Sequence, residues 1–297
     1  MSSLTAFQRL RSSANVQRRF SIGLRLVIAA ILIVFAIFPV LWVISASFNP
    51  TGSLATQTLI PANAGVGNYR ELLNSREIPF LMWFWNSIKI STITSLVALA
   101  ITTAAAYAFS RFRFRGRKAM LRGILLINVF PAVLALVATF LMVSQFGDVI
   151  PLIGLNSHVS LILVYLGTAM GINIWLMKGF LDTIPRDIDE SARVEGASDW
   201  QIFIKLILPL LRPILIVIGI LNYITAYGEF VIARVLLKTT EQYTLMVGLQ
   251  IFTQAQFQQR WGIFAAGALI GALPIMIIYL ALQDQIVGGL TQGAVKG

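Results

Sequence analysis

The chain has 297 residues, of which 57% are hydrophobic and only 12% are charged, against about 25% charged residues in ordinary globular proteins. With a mean hydropathy of +0.81, this deficit of charge argues against a soluble enzyme, a disordered chain and a nucleic-acid-binding protein. The net charge of +11 does not indicate an anionic ligand, because the cations lie in short clusters between long apolar runs. The absence of cysteine excludes disulfides and thiol chemistry, and the single histidine, His158, argues against a histidine-based metal site.

Six apolar stretches are long enough to cross a bilayer, which takes about 20 residues of helix. In chain order they are 22–47, 84–109, 120–144, 159–180, 204–228 and 263–283. The first follows arginines and ends in small residues, as a signal peptide does, but its apolar part exceeds the roughly 7–15 residues of a signal sequence. The sequence therefore predicts an all-α polytopic membrane protein with six spans, the first of them uncleaved.

The distribution of cations predicts the orientation of these spans. Most of the 23 lysines and arginines precede span one, fill the loop between spans two and three, or lie between spans four and five. If six helices alternate, all these clusters fall on one side, which the positive-inside rule identifies as the cytoplasm. We expect a cytoplasmic N-terminal segment (1–21), a permease domain (22–283) and a cytoplasmic C-terminal tail (284–297).

The interior of the predicted spans holds neutral polar groups and no carboxylate near a span centre. Glu229 comes closest, at the end of span five, and is interpreted as an interfacial residue. An ion-coupled carrier would be expected to keep an ionisable group at mid-membrane. The neutral groups suit either hydrogen bonding between helices or a path for an uncharged, hydroxyl-rich solute, and the candidate path residues are Asn128, Asn173, Asn222, Tyr223 and Tyr227.

Glycines and prolines within the spans predict close packing and bends. Gly267 and Gly271 form a G-x-x-x-G pattern in span six, which permits close approach of another helix. Prolines at or near span ends or within spans are expected to kink them; these are Pro131, Pro209, Pro213 and Pro274.

The loop between spans four and five differs from the others, because it carries half of the chain's 12 acidic residues. Asp187 is predicted to cap a short helix, 188–195, in a capping box with Glu190, and Gly196 is predicted to end it. Ser198, with Gln201 three residues later, then starts a helix that bends at Pro209. Such a loop is either a docking element or a solvated linker. Its candidate contact residues are the small Ser191, Ala192, Gly196 and Ala197 and the apolar Ile188 and Val194.

The stretch ESARVEGASDWQIFIKLILP, from Glu190 to Pro209, resembles the EAA loop of ATP-binding-cassette (ABC) importer permeases. That pattern is E-A-A, three residues, G, nine residues and I-x-L-P. Ser191 replaces an alanine and Leu206 an isoleucine, and both changes are conservative. The resemblance implies a type I ABC importer permease whose EAA loop spans about 187–209.

Further segments resemble the smaller permease of maltose/maltodextrin importers. They are Trp85-Asn86-Ser87, AYAFSRFRFRG from Ala106, NVFPAVLALVA from Asn128, PLIGLNSH from Pro151 and the tail VGGLTQGAVKG. The similarity runs from about residue 20 to the end of the chain. It implies transport of maltose, maltodextrin or a related oligosaccharide, in the plasma membrane of a bacterium or archaeon, with both termini cytoplasmic.

The resemblance also implies the partners and the coupling mechanism. Two permeases form the path, each docks one subunit of an ATPase dimer, and an extracytoplasmic solute-binding protein delivers the solute. The EAA segment would move with the ATPase as a lever, with Glu190 paired to a basic group there; the implied coupling residues are Asp187, Ile188, Glu190, Ser191, Ala192, Val194, Glu195, Gly196, Ala197 and Pro209. The chain lacks the Gly-Lys dipeptide of a phosphate-binding loop, so it is expected to bind no cofactor itself, and ATP and Mg²⁺ belong to the partner ATPase.

Two more segments take a role from the resemblance alone. The loop between spans five and six corresponds to one that contacts the solute-binding protein, with Thr253, Gln254, Gln256 and Gln258 as contact residues. The small, flexible tail 288–297 corresponds to one that extends towards the ATPase pair.

Other functions are also compatible with the sequence. A permease of the same family could carry trehalose, other glucosides or glycerol phosphate. An ion-coupled secondary sugar transporter is disfavoured by the missing mid-membrane carboxylate and by the EAA-like loop. A membrane-embedded enzyme would need a catalytic cluster at one membrane face, and the acids cluster only in that loop.

Overall fold

A computed structural model of the chain describes residues 2–50, 57–129, 134–254 and 260–294, with side chains described between residues 20 and 285 of these ranges. Within them the structure is helical and contains no strand. The helices are α1 Ser2–Phe48, α2 Gly67–Asn74, α3 Phe80–Arg111, α4 Arg117–Val129, α5 Leu136–Val149, α6 His158–Leu181, α7 Asp187–Val194, α8 Asp199–Leu210, α9 Arg212–Gly228, α10 Val231–Leu236, α11 Leu245–Gln250 and α12 Trp261–Ala294. Residues Ile202–Ile207 of α8 are wound as a π-helix. Short 3₁₀ turns lie at Pro151–Ile153, Thr240–Gln242 and Ile251–Thr253. The predicted all-α class is confirmed.

Among the described residues, four helices are each long and apolar enough to cross a membrane, and each contains one predicted span. They are α1, α3, α6 and α12. The predicted borders of the terminal segments do not coincide with helix ends, since α1 begins at Ser2 and α12 continues to Ala294. No proline precedes residue 39 or follows residue 274, so neither border carries a strong signal to end a helix. The tail expected to be flexible is therefore helical as far as residue 294.

The predicted span 120–144 consists of two helices rather than one. Leu121 of α4 accepts a hydrogen bond from Trp175 Nε1, near the end of α6, at 3.1 Å. Val143 of α5 packs on Leu161, near the start of α6. As the chain advances from α4 to α5, its partners move back along α6, so the two helices together run antiparallel to that span over most of its length. In the described part of the chain, α4 and α5 therefore both lie along α6, on either side of residues 130–133, which are outside it.

The predicted span 204–228 is sharply bent. The axes of α8 and α9 differ in direction by 77° at Leu211. The straight arm of this span is α9, which has 17 residues and is about 26 Å long. Pro209 and Pro213 flank Leu211, and neither has the N–H that would donate to a carbonyl four residues earlier. The bend predicted at Pro209 is confirmed, whereas residues 204–210 belong to α8 and do not continue the line of α9.

The spans pack around α3. Helix α3 contacts both α6 and α9, and α9 also contacts α12, against which α1 lies. The α1 side chains between residues 22 and 40 are exposed almost all round the helix. Exposed apolar side chains on every face fit a helix at the edge of the molecule, where lipid tails are as apolar as the side chains.

Candidate coupling site and solute path

Helix α7 begins one residue earlier than a capping box with Asp187 would require. Asp187 is its first residue rather than its cap, and Arg186 occupies the cap position without a side-chain hydrogen bond to the backbone. The predicted capping box of Asp187 and Glu190 is therefore wrong. The acids of the first turn, Asp187, Asp189 and Glu190, instead place negative charge beside the unpaired N–H groups of the helix N-terminus, which is favourable.

The end of α7 is built as predicted. Gly196 has a φ of +88°, a conformation that favours glycine. Its N–H donates to Arg193 O at 3.0 Å, and the next N–H, from Ala197, donates to Ala192 O at 3.0 Å. These two bonds form the Schellman motif that ends many helices. Ser198 and Gln201 then form the predicted capping box at the start of α8.

Only one face of α7 is available to a partner. Its exposed residues include Glu190, Ser191 and Val194, and Val194 is 90% exposed. Of the predicted contact residues, Ala192 is buried and Ala197 is half-buried, which corrects their expected exposure. Ala192 lies three residues after the buried Asp189, so both project from the side of the helix that faces the chain's own core. The remaining predicted coupling residues, Asp187, Ile188, Glu195 and Gly196, are exposed, and Pro209 lies apart at the bend of α8.

The buried face of α7 is held by an ion pair. Arg111, the last residue of α3, places Nε 2.8 Å from Asp189 Oδ2, and both side chains are at most 3% exposed. The Arg111 guanidinium also donates to the carbonyl oxygens of Leu181, the last residue of α6, and of Ile184, just beyond it, at 3.2 and 3.0 Å. Arg186 in turn donates to Ser110 O at 2.7 Å. The ends of α3 and α6 and the first turn of α7 therefore meet at one cluster of charged groups.

Asp182 extends this cluster. Its carboxylate accepts a hydrogen bond from Ser110 Oγ at 2.6 Å and pairs with Lys178. Burial of the Asp182 carboxyl raises its pKa, but the hydrogen bonds from Lys178 and Ser110 outweigh this effect and hold the pKa below its ordinary value. Asp182 is therefore a charged acceptor near neutral pH, tied to α3 and to the end of α6.

An apolar cluster meets the same buried side of α7. Ala192 is the only apolar residue of α7 that is buried in it. The cluster joins residues of α3, α6, α8 and α9, namely Ala106, Tyr107, Met177, Leu181, Ile202, Phe203, Ile207, Leu211 and Ile218. Helix α8 is thus well packed into the core, whereas α7 contributes one methyl group.

Two of the predicted path residues meet in the membrane interior. Asn173 Nδ2 on α6 donates to Asn222 Oδ1 on α9 at 2.6 Å, and both residues are buried. They line a cavity of about 350 Å³ between α3, α6 and α9. The cavity also contains the threonines Thr94, Thr168 and Thr225. Within the described part of the chain, Asn222 Nδ2 and Thr94 Oγ1 are buried and have no hydrogen-bond partner.

The other predicted path residues lie elsewhere. Asn128 is exposed and lines a second cavity, beside the break between α4 and α5, where its Nδ2 donates to Ile124 O at 2.8 Å. Tyr223 and Tyr227 stack on each other in a buried cluster on a different face of α9, and Tyr227 OH donates to Gly271 O at 2.8 Å. The structure therefore brings together Asn173 and Asn222 but not the full set of five.

Glu229 closes one end of the 350 Å³ cavity. Its Oε2 accepts a hydrogen bond from Tyr165 OH at 2.7 Å. The same carboxylate accepts the backbone N–H groups of Ile232 and Ala233, at 2.8 and 3.0 Å, at the start of α10. Glu229 is thus a fixed anionic group between α6 and the segment that follows α9.

That segment, the 229–260 loop, folds back onto the start of α3. Trp83 Nε1 donates to Thr240 O at 2.8 Å, and Asn86 Nδ2 donates to Glu241 O and Tyr243 O at 2.9 and 3.1 Å. Ser87 Oγ accepts the N–H of Leu245 at 2.8 Å. Two residues of the Trp85-Asn86-Ser87 motif therefore anchor this loop.

The PLIGLNSH motif anchors the same loop from the start of α6. Asn156, with a φ of +60°, accepts the N–H groups of Lys238 and Thr239 through Oδ1 at 2.9 and 3.0 Å. The His158 ring nitrogen Nε2 lies 2.8 Å from Gln242 O. His158 is thus a loop-anchoring residue. Within the described residues, no group of three His, Asp or Glu side chains could hold a metal ion.

The glycine pattern in span six serves packing against this loop. A Cβ at Gly267 would lie 2.4 Å from Leu249 Cδ2, and one at Gly271 would lie 2.4 Å from Leu245 Cδ2. The two glycines thus make room for α11. Beyond α11, Thr253 and Gln254 are half-buried, whereas Gln256 and Gln258, the other predicted contacts for a solute-binding protein, lie outside the described residues.

Sequence reasoning missed the Arg111–Asp189 pair. Arg111 belongs to the cationic loop between spans two and three that predicts the orientation, and Asp189 is not among the predicted coupling residues. The signal for Arg111 was its place as the first cation after an apolar span. The signal for Asp189 was its position three residues before Ala192, on the same face of a short helix.

The chain is similar to transport permeases over most of its length. Residues 108–291 match the family model described as "Binding-protein-dependent transport system inner membrane component". The maltose/maltodextrin transport system permease protein MalG of Vibrio vulnificus is 41% identical over 272 residues, 88% of this chain and 91% of that protein. The galactooligosaccharides transport system permease protein GanQ of Bacillus subtilis is 39% identical over 284 residues, 95% of this chain and 98% of that protein.

Two solved structures share the fold. One chain of a bacterial ABC transporter involved in the import of the acidic polysaccharide alginate matches with a TM-score of 0.76 and 26% identity, over 91% of this chain and 97% of that one. A chain of a bacterial alginate ABC transporter, in complex with a periplasmic protein bound to an alginate pentasaccharide, matches with a TM-score of 0.67 and 19% identity, over 90% and 93%. The chain therefore belongs to the family of binding-protein-dependent transport system inner membrane components, the permease subunits of ABC importers.

Proposed function

We propose that this chain is one of two permeases of an importer for a neutral oligosaccharide, with maltose and maltodextrins as the first candidates. Relatives named for maltose/maltodextrin and for galactooligosaccharides, at 41% and 39% identity, support an oligosaccharide. Glu229 at the cavity supports a neutral one, because a fixed carboxylate repels an anionic solute. An acidic polysaccharide or glycerol phosphate is disfavoured for the same reason.

The proposed coupling site is the exposed face of α7 and the turn after it. Its residues are Asp187, Ile188, Glu190, Ser191, Val194, Glu195, Gly196 and Ala197, with Pro209 fixing the bend behind them. The observation that carries this assignment is a short acidic helix with one face fixed to three spans and the other face free. The ATPase dimer, which binds ATP and Mg²⁺, would contact the free face on the cytoplasmic side, where both termini of this chain would also lie.

The proposed solute path includes the cavity lined by Asn173 and Asn222. Buried donors without a partner are costly in a membrane protein, since no water is present in the hydrocarbon core to satisfy them. Thr94 Oγ1 and Asn222 Nδ2 are such groups. Hydroxyl groups of a passing sugar would supply the missing partners, and the cavity volume falls within the range of about 300–1,000 Å³ typical of small-ligand sites.

The function is tested by purifying this chain with its native partners into proteoliposomes and measuring ATP-driven uptake of radiolabelled maltose, maltotriose, a galactooligosaccharide and glycerol phosphate. We expect ATP-dependent uptake of an oligosaccharide. Glu190→Ala should lower it at least about tenfold, as the loss of a desolvated charged contact does, without reducing the amount of chain in the membrane. Uptake of glycerol phosphate alone would contradict the proposed solute, and normal uptake by Glu190→Ala would contradict the coupling assignment.

A further inference from the structure

Helix α7 makes few apolar contacts with the rest of the molecule. It has eight residues, of which only Asp189 and Ala192 are buried. An isolated helix of this length is not stable in water, so its position depends on the groups that fasten it. Ala192 supplies one methyl group, and Ile188 and Val194 are exposed. The main fastening on this face is therefore polar.

The polar fastening is centred on Arg111. Its guanidinium is paired with Asp189 Oδ2 at 2.8 Å and bonded to the carbonyl oxygens of Leu181 and Ile184. A guanidinium is rigid, planar and always charged, so one side chain can hold several acceptors in a fixed arrangement. Through Arg111, α3 holds α7 and the segment after α6 together.

A buried ion pair resists separation more than it adds stability. Replacing such a pair with apolar residues is often neutral for stability, but removing one partner leaves an uncompensated buried charge. Any displacement of α7 away from α3 would create that situation for both Arg111 and Asp189. The two elements should therefore move together when α7 is pushed from its exposed face.

We propose that the Arg111–Asp189 pair transmits the displacement of α7 to α3, so that both are positioning residues for coupling ATP hydrolysis to transport. The inference rests on the proposed function of α7 as the ATPase contact. It adds a second connection between α7 and the spans, in addition to the chain continuity that leads through α8 into α9. Neither residue needs to touch the ATPase or the solute.

The test measures sugar transported per ATP hydrolysed by complexes purified through the ATPase subunit, so that only assembled complexes are counted. Asp189→Asn and Arg111→Gln should each lower this ratio about tenfold, as substitutions along a coupling route do, while ATP hydrolysis continues. Asp199→Asn is the matched control, because it makes the same change in an exposed ion pair with Arg193 at 2.9 Å. It should leave the ratio unchanged.

A double variant tests whether the two residues act as a unit. Arg111→Gln with Asp189→Asn should lower the ratio no further than the stronger single variant, and Arg111→Lys, which keeps the charge, should recover part of it. A purely structural role would lower the yield of complex but leave the ratio of the assembled fraction unchanged.

The wild-type complex distinguishes failure of the proposed function from failure of the proposed role of Arg111 and Asp189. If it couples ATP to none of the sugars, the proposed function fails and the inference falls with it. If it couples and the single variants keep the wild-type ratio, or if the two effects multiply in the double variant, the inference alone is overturned.

Discussion

The two ends of α3 hold two different kinds of segment. At the C-terminal end of α3, Arg111 holds α7 through a buried ion pair and holds the end of α6 through hydrogen bonds to carbonyl groups. Near its start, Trp83, Asn86 and Ser87 hold the 229–260 loop through neutral hydrogen bonds, chiefly to backbone carbonyls. With 32 residues, α3 is about 48 Å long, so one helix connects the two attachments.

The attachments differ because the attached segments differ in burial. The 229–260 loop buries a set of large apolar side chains, which includes Leu236, Leu237, Leu245, Val247, Leu249 and Phe252. Its hydrogen bonds complete a packed core. Helix α7 buries one alanine and relies on charge. A segment held by one buried ion pair can move as a unit with its anchor, whereas a segment built into the core is fixed by many weak contacts.

The largest expected effect is at the turn after α7. Gly196→Pro cannot keep a φ of +88° and removes the N–H that bonds to Arg193 O, which costs about 3 kcal/mol or more of local stability. The exposed face of α7 would then lose its orientation relative to α8. We expect ATP-driven sugar uptake by cells to fall to background while the chain still inserts into the membrane.

Gly116 offers a matched control for this variant. It has nearly the same backbone conformation, with a φ of +86°, but lies in the connection between α3 and α4. Gly116→Pro should carry similar local strain without disturbing α7. If it lowers ATP-driven sugar uptake by cells to background as Gly196→Pro does, the effect belongs to strained glycines in general and not to the turn behind α7.

The second effect is at the opposite end of α3. Asn86→Leu removes the donor to the carbonyl groups of Glu241 and Tyr243 in a partly buried place, and each lost hydrogen bond costs about 0.5–1.5 kcal/mol. The midpoint of thermal unfolding in detergent should fall, and the sugar-per-ATP ratio of the assembled complex should stay unchanged. Thr103→Val, whose hydroxyl bonds only within α3, should shift the midpoint less. A change of the ratio by Asn86→Leu would show that the loop end also carries coupling.

Much of the fold was readable from the sequence, because apolar runs of membrane length need no tertiary context to be recognised. The two departures occur at prolines. Pro209 and Pro213 stand four residues apart around the bend of span five, and Pro131 lies in the sequence between the described parts of α4 and α5. A single proline in a span permits anything from a mild kink to a break, as Pro274 inside the continuous α12 shows. The sequence marks the place, and the neighbouring helices decide the angle.

The candidate site was predictable to the extent that it is contiguous. Gly196 and the Ser198 capping box follow local rules, and the structure confirms both. The burial of Ala192 and the pairing of Asp189 with Arg111, 78 positions earlier, depend on which face of α7 meets α3. No local sequence pattern determines which face of α7 packs against α3. The path residues scatter for the same reason, since a polar residue in a span does not reveal which neighbour its face will meet.

The smallest expected effect lies between the two attachments, at Thr94 in the middle of α3. Its hydroxyl is buried beside the 350 Å³ cavity and has no partner among the described residues. Thr94→Val keeps the shape of the side chain and removes this unsatisfied group, so the unfolding midpoint should stay the same or rise. If the hydroxyl bonds a passing sugar, the half-saturating sugar concentration for transport should rise about threefold to tenfold, as the loss of one hydrogen bond does.

A residue that contacts the solute is distinguished from a structural one when its replacement weakens transport without lowering the unfolding midpoint. Thr102→Val on the same helix is the matched control, since the Thr102 hydroxyl is buried but donates to Ala98 O at 2.6 Å. It should leave the half-saturating concentration unchanged. If Thr94→Val lowers the unfolding midpoint and leaves transport unchanged, the hydroxyl has a structural role. The unpaired Thr94 hydroxyl would then no longer support a sugar site in this cavity.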